Sequence, residues 1–409
     1  MHKIEELIQQ LCPDGVELKE LHEVFVIKNG YTPSKANPEF WESGLIPWFR
    51  MEDIRKNGRI LTDSIQHITP EAVKGSGLFP ANSIIVATTA TIGEHALIIV
   101  DSLANQQFTF LTKRKSFDDK LDMKFFFHYM FIIDEWCKNN INAGGFASVD
   151  MGKFKKYKFP LPPIPVQQEI AYILDSFTQL EAELEAELEA RRTQYNYYRN
   201  QLLSFEGKEV EWKTLGEVGQ FIRGRRFVKD DIVAEGVPCI HYGEMYTHYH
   251  ISATKTKSFL NSALAAKLRV ANTGDVIIVA AGETVEDLGK GVAWLGESDV
   301  VIHDACFAFK HKLYPKYVSH FLQTELFRSQ IKRNVSSGKI SAINASGLSK
   351  ATIPIPSPAE QERIAGVLDK FDALVNDLSV GLPAEIAARR KQYEFYRGRL
   401  LAFKNSSNG

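Results

Sequence analysis

The chain has 409 residues, 44% hydrophobic and 24% charged, with 49 basic groups against 50 acidic ones and a net charge of −1. That length exceeds one ordinary core and predicts two or three domains, while the charge balance excludes a strongly basic nucleic-acid binder. No run of about 18 apolar residues exists, which excludes a spanning helix. Four scattered cysteines without a CxxC pair argue against structural zinc or a disulfide framework and fit a reducing cytosol.

The first eleven residues, MHKIEELIQQL, carry carboxylates and lack a signal-peptide core, which points to a cytoplasmic protein. A turn at Pro13-Asp14-Gly15 then enters a strand. Together with Glu17-Leu18-Lys19 it imitates a PD…ExK nuclease, but two intervening residues cannot place the carboxylates on separate strands. The remainder of 1–160 reads as a mixed α/β domain with an N-terminal helix. Strands are predicted at 83–88, 95–100 and 108–112, and a helix with a wide apolar face at 123–137. Its candidate binding groups are polar and lie in loops. IKNGYTPSK supplies Lys28, Tyr31, Ser34 and Lys35, and Arg50 follows. Thr88, Thr89 and Thr91 follow a central strand, Gln106 and Gln107 precede another, and Ser148 lies in the small-residue loop 142–150.

Residues 161–206 form a long helix opened by Pro165 and Gln167-Gln168-Glu169. Its apolar positions run Ile170, Leu174, Phe177, Leu180, Leu184, Leu188, Tyr195, Tyr198 and Leu202. Counting the gap at Arg191, nine steps cover 32 residues, a narrow stripe suited to pairing with another helix. Within it LEAELEAELEARR repeats a unit of four. Each unit advances a helix by about 6 Å and leaves a net rotation near 40°, close to the roughly 34° of one base-pair step. That match predicts a spacing role. The helix carries 3 basic and 8 acidic groups over 166–206, against 19 and 20 over 1–160 and 19 and 15 over 207–352.

The segment 207–354 predicts a second α/β domain, with strands at 275–281 and 305–309 and a helix over 316–331. FIRGRRF places Arg223, Arg225 and Arg226 around a glycine after a strand, and arginine's fork suits phosphate oxygens and guanine edges alike. HYGEMYTHYH holds His241, Tyr242, His248 and His250. No acidic or Cys partner has metal-ligand spacing, so hydrogen-bonding edges are the favoured reading of these rings and of His303. Glu283 and Thr284 follow the central strand, and Lys339 and Ser341 lie in the loop SSGKISAINAS. Over 355–409 a second helix begins with Ser357-Pro358-Ala359-Glu360 and is interrupted at Gly381-Leu382-Pro383. Its positions for the helix pair and the subunit interface are Phe371, Leu374, Tyr393, Tyr396 and Leu400.

The chain is written twice. ARRTQYNYYRNQLLSF at 190–205 recurs as ARRKQYEFYRGRLLAF at 388–403, and IAYILDSF at 170–177 recurs as IAGVLDKF at 364–371. VELKELHEV at 16–24 matches VEWKTLGEV at 210–218, Gly30 matches Gly224, and Asn105-Gln106-Gln107 matches His303-Asp304. The first eleven residues imitate a helix end, with Ile8 and Leu11 matching Leu202 and Phe205, which predicts a cyclic pseudo-two-fold arrangement. Thr88, Thr89 and Thr91 are set against Gly282, Glu283 and Thr284. No phosphate-binding GxxxxGK[ST] loop and no adenine-methyltransferase tetrad occurs.

The two helical blocks with the domains between them resemble the specificity subunits of type I restriction–modification systems. The resemblance covers essentially the whole chain. It implies an α+β protein with two target-recognition domains, separated by two long helices packed as an antiparallel coiled coil. Each domain would read half of a bipartite double-stranded DNA site. The helices would dock two modification subunits, with restriction subunits joining them. No cofactor is then expected in this chain, since S-adenosylmethionine, ATP and Mg2+ would belong to the partners. The rival reading from another class is a coiled-coil scaffold whose domains bind proteins without DNA readout.

Overall fold

The structure is a computed structural model, which describes residues 2–75, 77–142, 147–336, 338 and 340–406. The chain divides into two compact units, Met1–Glu181 with Arg389–Gly409, and Ala182–Ala388. Lys339 lies outside the described residues.

In the first unit the strand Ser83–Ala87 is buried along its whole length. Phe108–Lys113 and His95–Ile98 flank it antiparallel, with Phe25–Asn29 at one edge and Ile60–Leu61 parallel at the other. Alternate side chains go to opposite faces. Ile84 and Val86 join a core under the helix Met123–Asn139, while Ile85 and Ala87 pack with Phe49, Ile54 and Phe110 behind. A strand covered on both faces reads as a continuous apolar run, which is why SIIVA was legible.

The second unit repeats this sheet. Val276–Val279 is central, flanked by Cys306–His311 and Gly291–Trp294, with Gly219–Arg223 at one edge and Ser252–Ala253 parallel at the other. A smaller sheet accompanies each. In the first unit it has three strands around Ile46–Phe49, and in the second five around Val237–Ile240. One predicted helix differs. The segment 316–331 forms two helices, Pro315–Phe321 and Glu325–Lys332, because the Thr324 hydroxyl caps the Phe327 amide at 3.2 Å. A hydroxyl that satisfies a free amide starts a new helix. The first unit keeps one continuous helix there.

The long helix spans Ile164–Ser204, beginning in the first unit and ending in the second. In the first unit the Phe177 ring stacks on Tyr396 at 5.4 Å, and Glu181 pairs with Arg390, so these segments run antiparallel. In the second, Tyr195 and Tyr198 stack against Phe371 with centroids 6.2 and 5.5 Å apart. Leu180, Leu184, Leu188 and Leu202 are half-buried, and Tyr393 and Leu400 are buried. Leu374 is 37% exposed, as is Tyr198, and the neighbouring Val375 is the core residue. The predicted interruption separates Pro358–Asn376 from Leu382–Leu400. A Cβ on Gly381 would meet the Ala373 carbonyl oxygen at 2.5 Å, so only glycine makes this corner.

Chain start and end meet in the first unit. The Val16 amide donates to the Lys404 carbonyl at 2.9 Å, and Ser406 returns a bond to Val16 at 3.0 Å. In the second unit the matching step, from Phe205 to Val210, is continuous chain. The first unit thus joins by hydrogen bonds what the second joins by continuous chain.

Candidate nucleic-acid interface

Both units build the same crossing at the end of their edge strand. The Gly30 amide donates to Phe108 at 2.9 Å, and the Gly224 amide to Cys306 at 3.0 Å. A Cβ on Gly30 would lie 2.3 Å from the Ala104 carbonyl oxygen, and one on Gly224 would lie 2.2 Å from that of His303. Each opposing turn is closed by a side chain. Asn105 Oδ1 accepts the Gln107 amide at 3.0 Å, and His303 Nδ1 accepts the Ala305 amide at 3.1 Å. The backbones match here, so the side chains carried outward are what distinguishes the two crossings.

The loop after the central strand needs a correction of register. Thr88 donates its amide to Gln107 and accepts from Val149, while Ala280 donates to Ala305 and accepts from Ile343. Thr88 therefore matches Ala280, two residues before the expected Gly282. Thr88 is also buried, its hydroxyl 2.9 Å from that of Thr109, and so is Ser341, where Ala342 and Ser341 pair with Ala281 and Gly282. Neither presents a surface group. Tyr31 spends its hydroxyl on the Ala72 carbonyl and the Lys74 amide. Thr89, Thr91 and Ser148 are half-buried around the bridge between Thr89 and Ser148.

Among the remaining first-unit groups, Lys28, Ser34, Lys35 and Gln106 are exposed. Gln106 accepts from the Thr32 hydroxyl, and Gln107 from the Asn105 amide at 3.3 Å. Arg50 shares a cleft with Lys35 and Trp41; it pairs with Glu52 at 3.2 Å.

In the second unit Arg223 donates to the Asp304 carbonyl at 2.9 Å and Arg225 to the Lys267 carbonyl at 2.7 Å, which fixes both stems. Arg226 is exposed beside them. Behind this loop the rings of His241, Tyr242 and His303 cluster, with centroid separations of 4.7 to 5.0 Å, over buried Phe227. Burial lowers the His241 and His303 pKa values, so neutral rings present hydrogen-bonding edges. Glu283 and Thr284 are exposed, and the Thr284 hydroxyl donates to Asp287 at 2.7 Å. Among the described residues no three His, Cys, Asp or Glu side chains converge as metal ligands, and no helix is long and apolar enough to cross a membrane.

Sequence reasoning missed a second matched feature. His128 places Nε2 2.9 Å from Asp175 and Nδ1 3.0 Å from the Tyr393 hydroxyl. His320 places the same atoms 2.9 Å from Asp369 and 3.3 Å from the Tyr195 hydroxyl. An ionised carboxylate only accepts, so Nε2 carries the proton and Nδ1 accepts from the tyrosine. Burial lowers both histidine pKa values against the opposing pull of the carboxylates. Lys124 and Lys316 complete the pattern on Asp175 and Asp369 at 2.8 and 2.7 Å. The available signal was one histidine inside each strongly apolar helix.

The chain matches the family described as type I restriction modification DNA specificity domain over residues 13–190 and again over 207–388. It is 40% identical over 386 residues to the Escherichia coli type I restriction enzyme EcoprrI specificity subunit, covering 90% of each chain. With the EcoR124I/EcoR124II specificity subunit of Escherichia coli it shares 34% identity over 261 residues, 61% of this chain and 63% of that one. Its fold is similar to a type I restriction–modification S subunit from M. genitalium, with a TM-score of 0.51 at 14% identity, over 94% of this chain and 96% of that one. A chain from a structure of type I restriction–modification assembly and conformational transition gives a TM-score of 0.65 at 16% identity, covering 95% and 97%.

Proposed function

The chain belongs to the type I restriction–modification DNA specificity family, and from that premise we propose that each of its two halves reads one half of a bipartite DNA target. It is a non-catalytic specificity subunit. The observation that carries the split reading is the matched crossing at Gly30 and Gly224, where one backbone displays two different sets of side chains. In this reading 1–160 and 207–354 are the target-recognition domains. Lys28, Ser34, Lys35, Arg50 and Gln106 face one half-site. Arg223, Arg225, Arg226, Tyr242 and Glu283 face the other. Arginine and lysine would take phosphates or guanine edges, and glutamine an adenine edge.

Two modification subunits dock on the helices, with restriction subunits outside them, in the cytoplasm. S-adenosylmethionine, ATP and Mg2+ are bound by those partners. The LEAE repeat sets the distance between half-sites, because each unit rotates the helix by roughly one base-pair step, although its rise of about 6 Å is longer than the step's. The reconstituted methyltransferase, offered a random duplex library, enriches one split motif. Deleting one LEAE unit shortens the unspecified spacer and leaves both half-sites unchanged. A library without any split motif refutes DNA reading and favours the scaffold alternative. Altered half-sites with a constant spacer refute the ruler.

A further inference from the structure

The second unit contains a cavity of about 260 Å³ that the DNA-reading loops do not use. Arg192, Asn196 and Arg199 line it from the long helix, Lys290 and His250 from the strand side, and Asp372 from the C-terminal helix. The volume falls below the roughly 300 Å³ at which sites for drug-sized organic ligands begin. The lining favours an anion. Arg199 is 8% exposed, and its Nε is buried without a hydrogen-bond partner. Its other two nitrogens donate to neutral amides, Gln323 at 2.9 Å and Asn196 at 2.6 Å. Lys290 donates to the Tyr249 carbonyl at 3.2 Å. Among the described residues no carboxylate forms an ion pair with either cation.

The carboxylate in the wall is already engaged. Asp372 accepts from Asn376 at 2.8 Å and lies 3.3 Å from the Tyr195 oxygen, whose proton goes to His320. Arg192 lies at the exposed mouth, 3.9 Å from Glu189. From within the wall Asp372 acts on Arg199, Lys290 and His250, and from outside it Asp287 acts on Lys290 and Asp377 on His250. Burial lowers the pKa of both Arg199 and Lys290, as expected for cations removed from water without a full counter-charge. Removing charge from water unpaired is costly, and an oxyanion relieves that cost.

The duplicated half shows the same position closed. There Arg397 takes the place of Arg199; each lies over a tyrosine ring, Tyr393 at 5.1 Å and Tyr195 at 4.9 Å, but Arg397 has in addition the Phe131 ring at 4.5 Å. Arg59 covers the same ring at 5.1 Å. Phe131 stands where the second unit has Gln323, and Glu94 where it has Lys290, as the bonds from Ala87 to Glu94 and from Val279 to Lys290 establish. One half thus fills the position with an aromatic ring and a carboxylate. The other keeps it open and cationic.

We propose that this pocket of the second unit binds a phosphate group, held by Arg199 and Lys290 with Arg192 and His250 at its mouth. The group belongs either to free phosphate or to a DNA backbone, and the two sources separate experimentally. Full-length protein is titrated with orthophosphate against chloride at equal ionic strength by calorimetry, and with a duplex at several salt concentrations. Orthophosphate binds the wild type with one site, Lys290→Gln weakens it at least tenfold, and Lys290→Arg restores it. If the natural source is backbone phosphate, Lys290→Gln also lowers the salt slope of duplex binding by about 0.9, and orthophosphate competes with duplex. If it is free phosphate, duplex binding is unchanged. Orthophosphate binding no stronger than that of chloride, or equal binding by wild type and Lys290→Gln, overturns the proposal. Circular dichroism confirms that each variant is folded.

Discussion

The two units share a framework and differ in what they attach to it. Both have the same five-strand order, the same glycine crossing, and the same histidine held between an aspartate and a tyrosine. At the loop tips the first unit carries Lys28, Ser34 and Gln106, and the second an arginine-rich turn over a histidine and tyrosine cluster. The difference teaches where a duplicated domain can diverge. The glycine crossing and the histidine nodes keep one solution in both units. Positions that end in solvent are free to acquire a separate specificity.

The largest effect should come from the crossing. Gly30→Ala and Gly224→Ala each force a methyl against backbone, and each should cost about 2–3 kcal/mol. Thermal unfolding reads the loss, and each variant should impair recognition of its own half-site alone. Equal impairment of both half-sites would break the comparison. The buried histidines come next. Asp175→Ala and Asp369→Ala each leave a ring without its acceptor, at about 1–3 kcal/mol, with similar values expected in the two units. A cost in one unit only would mean that the matched geometry is not matched energetically.

The smallest effect is a pH dependence in which the units should differ. His311 occupies the ladder position held in the first unit by Lys113, whose ammonium donates to Leu121 at 3.0 Å. Burial lowers the His311 pKa from 6.5 to about 4. The unfolded chain therefore takes up this proton first, and stability declines as pH falls from about 6.5 toward 4. His311→Gln should flatten that decline in melting temperature, and an unchanged pH profile would remove His311 as its source.

Much of this framework was legible because repetition and apolar periodicity are local in sequence. The central strands, the long helix and the break at Gly381 follow from runs, caps and glycine or proline alone. The sites were less legible. Thr88 and Ser341 lie in polar loops by composition, yet ladder bonds turn them inward. Leu374 continues the sequence stripe, but the helix presents Val375 to the core. The His128 and His320 nodes draw partners from segments up to 265 residues away, which no local pattern encodes.

The central claim is that each half reads its own DNA segment on a shared framework. The most direct measurement is the methylated motif, sequenced from cells that carry the reconstituted methyltransferase with Arg226→Ala in place of wild type. If Arg226 contacts a base, preference relaxes at one position in one half-site, with the other half and the spacer unchanged. If it contacts phosphate, the motif stays intact, while duplex affinity falls for all sequences and the salt slope shrinks by about 0.9. Changes in both half-sites, or no change in motif, affinity or slope, would contradict the account.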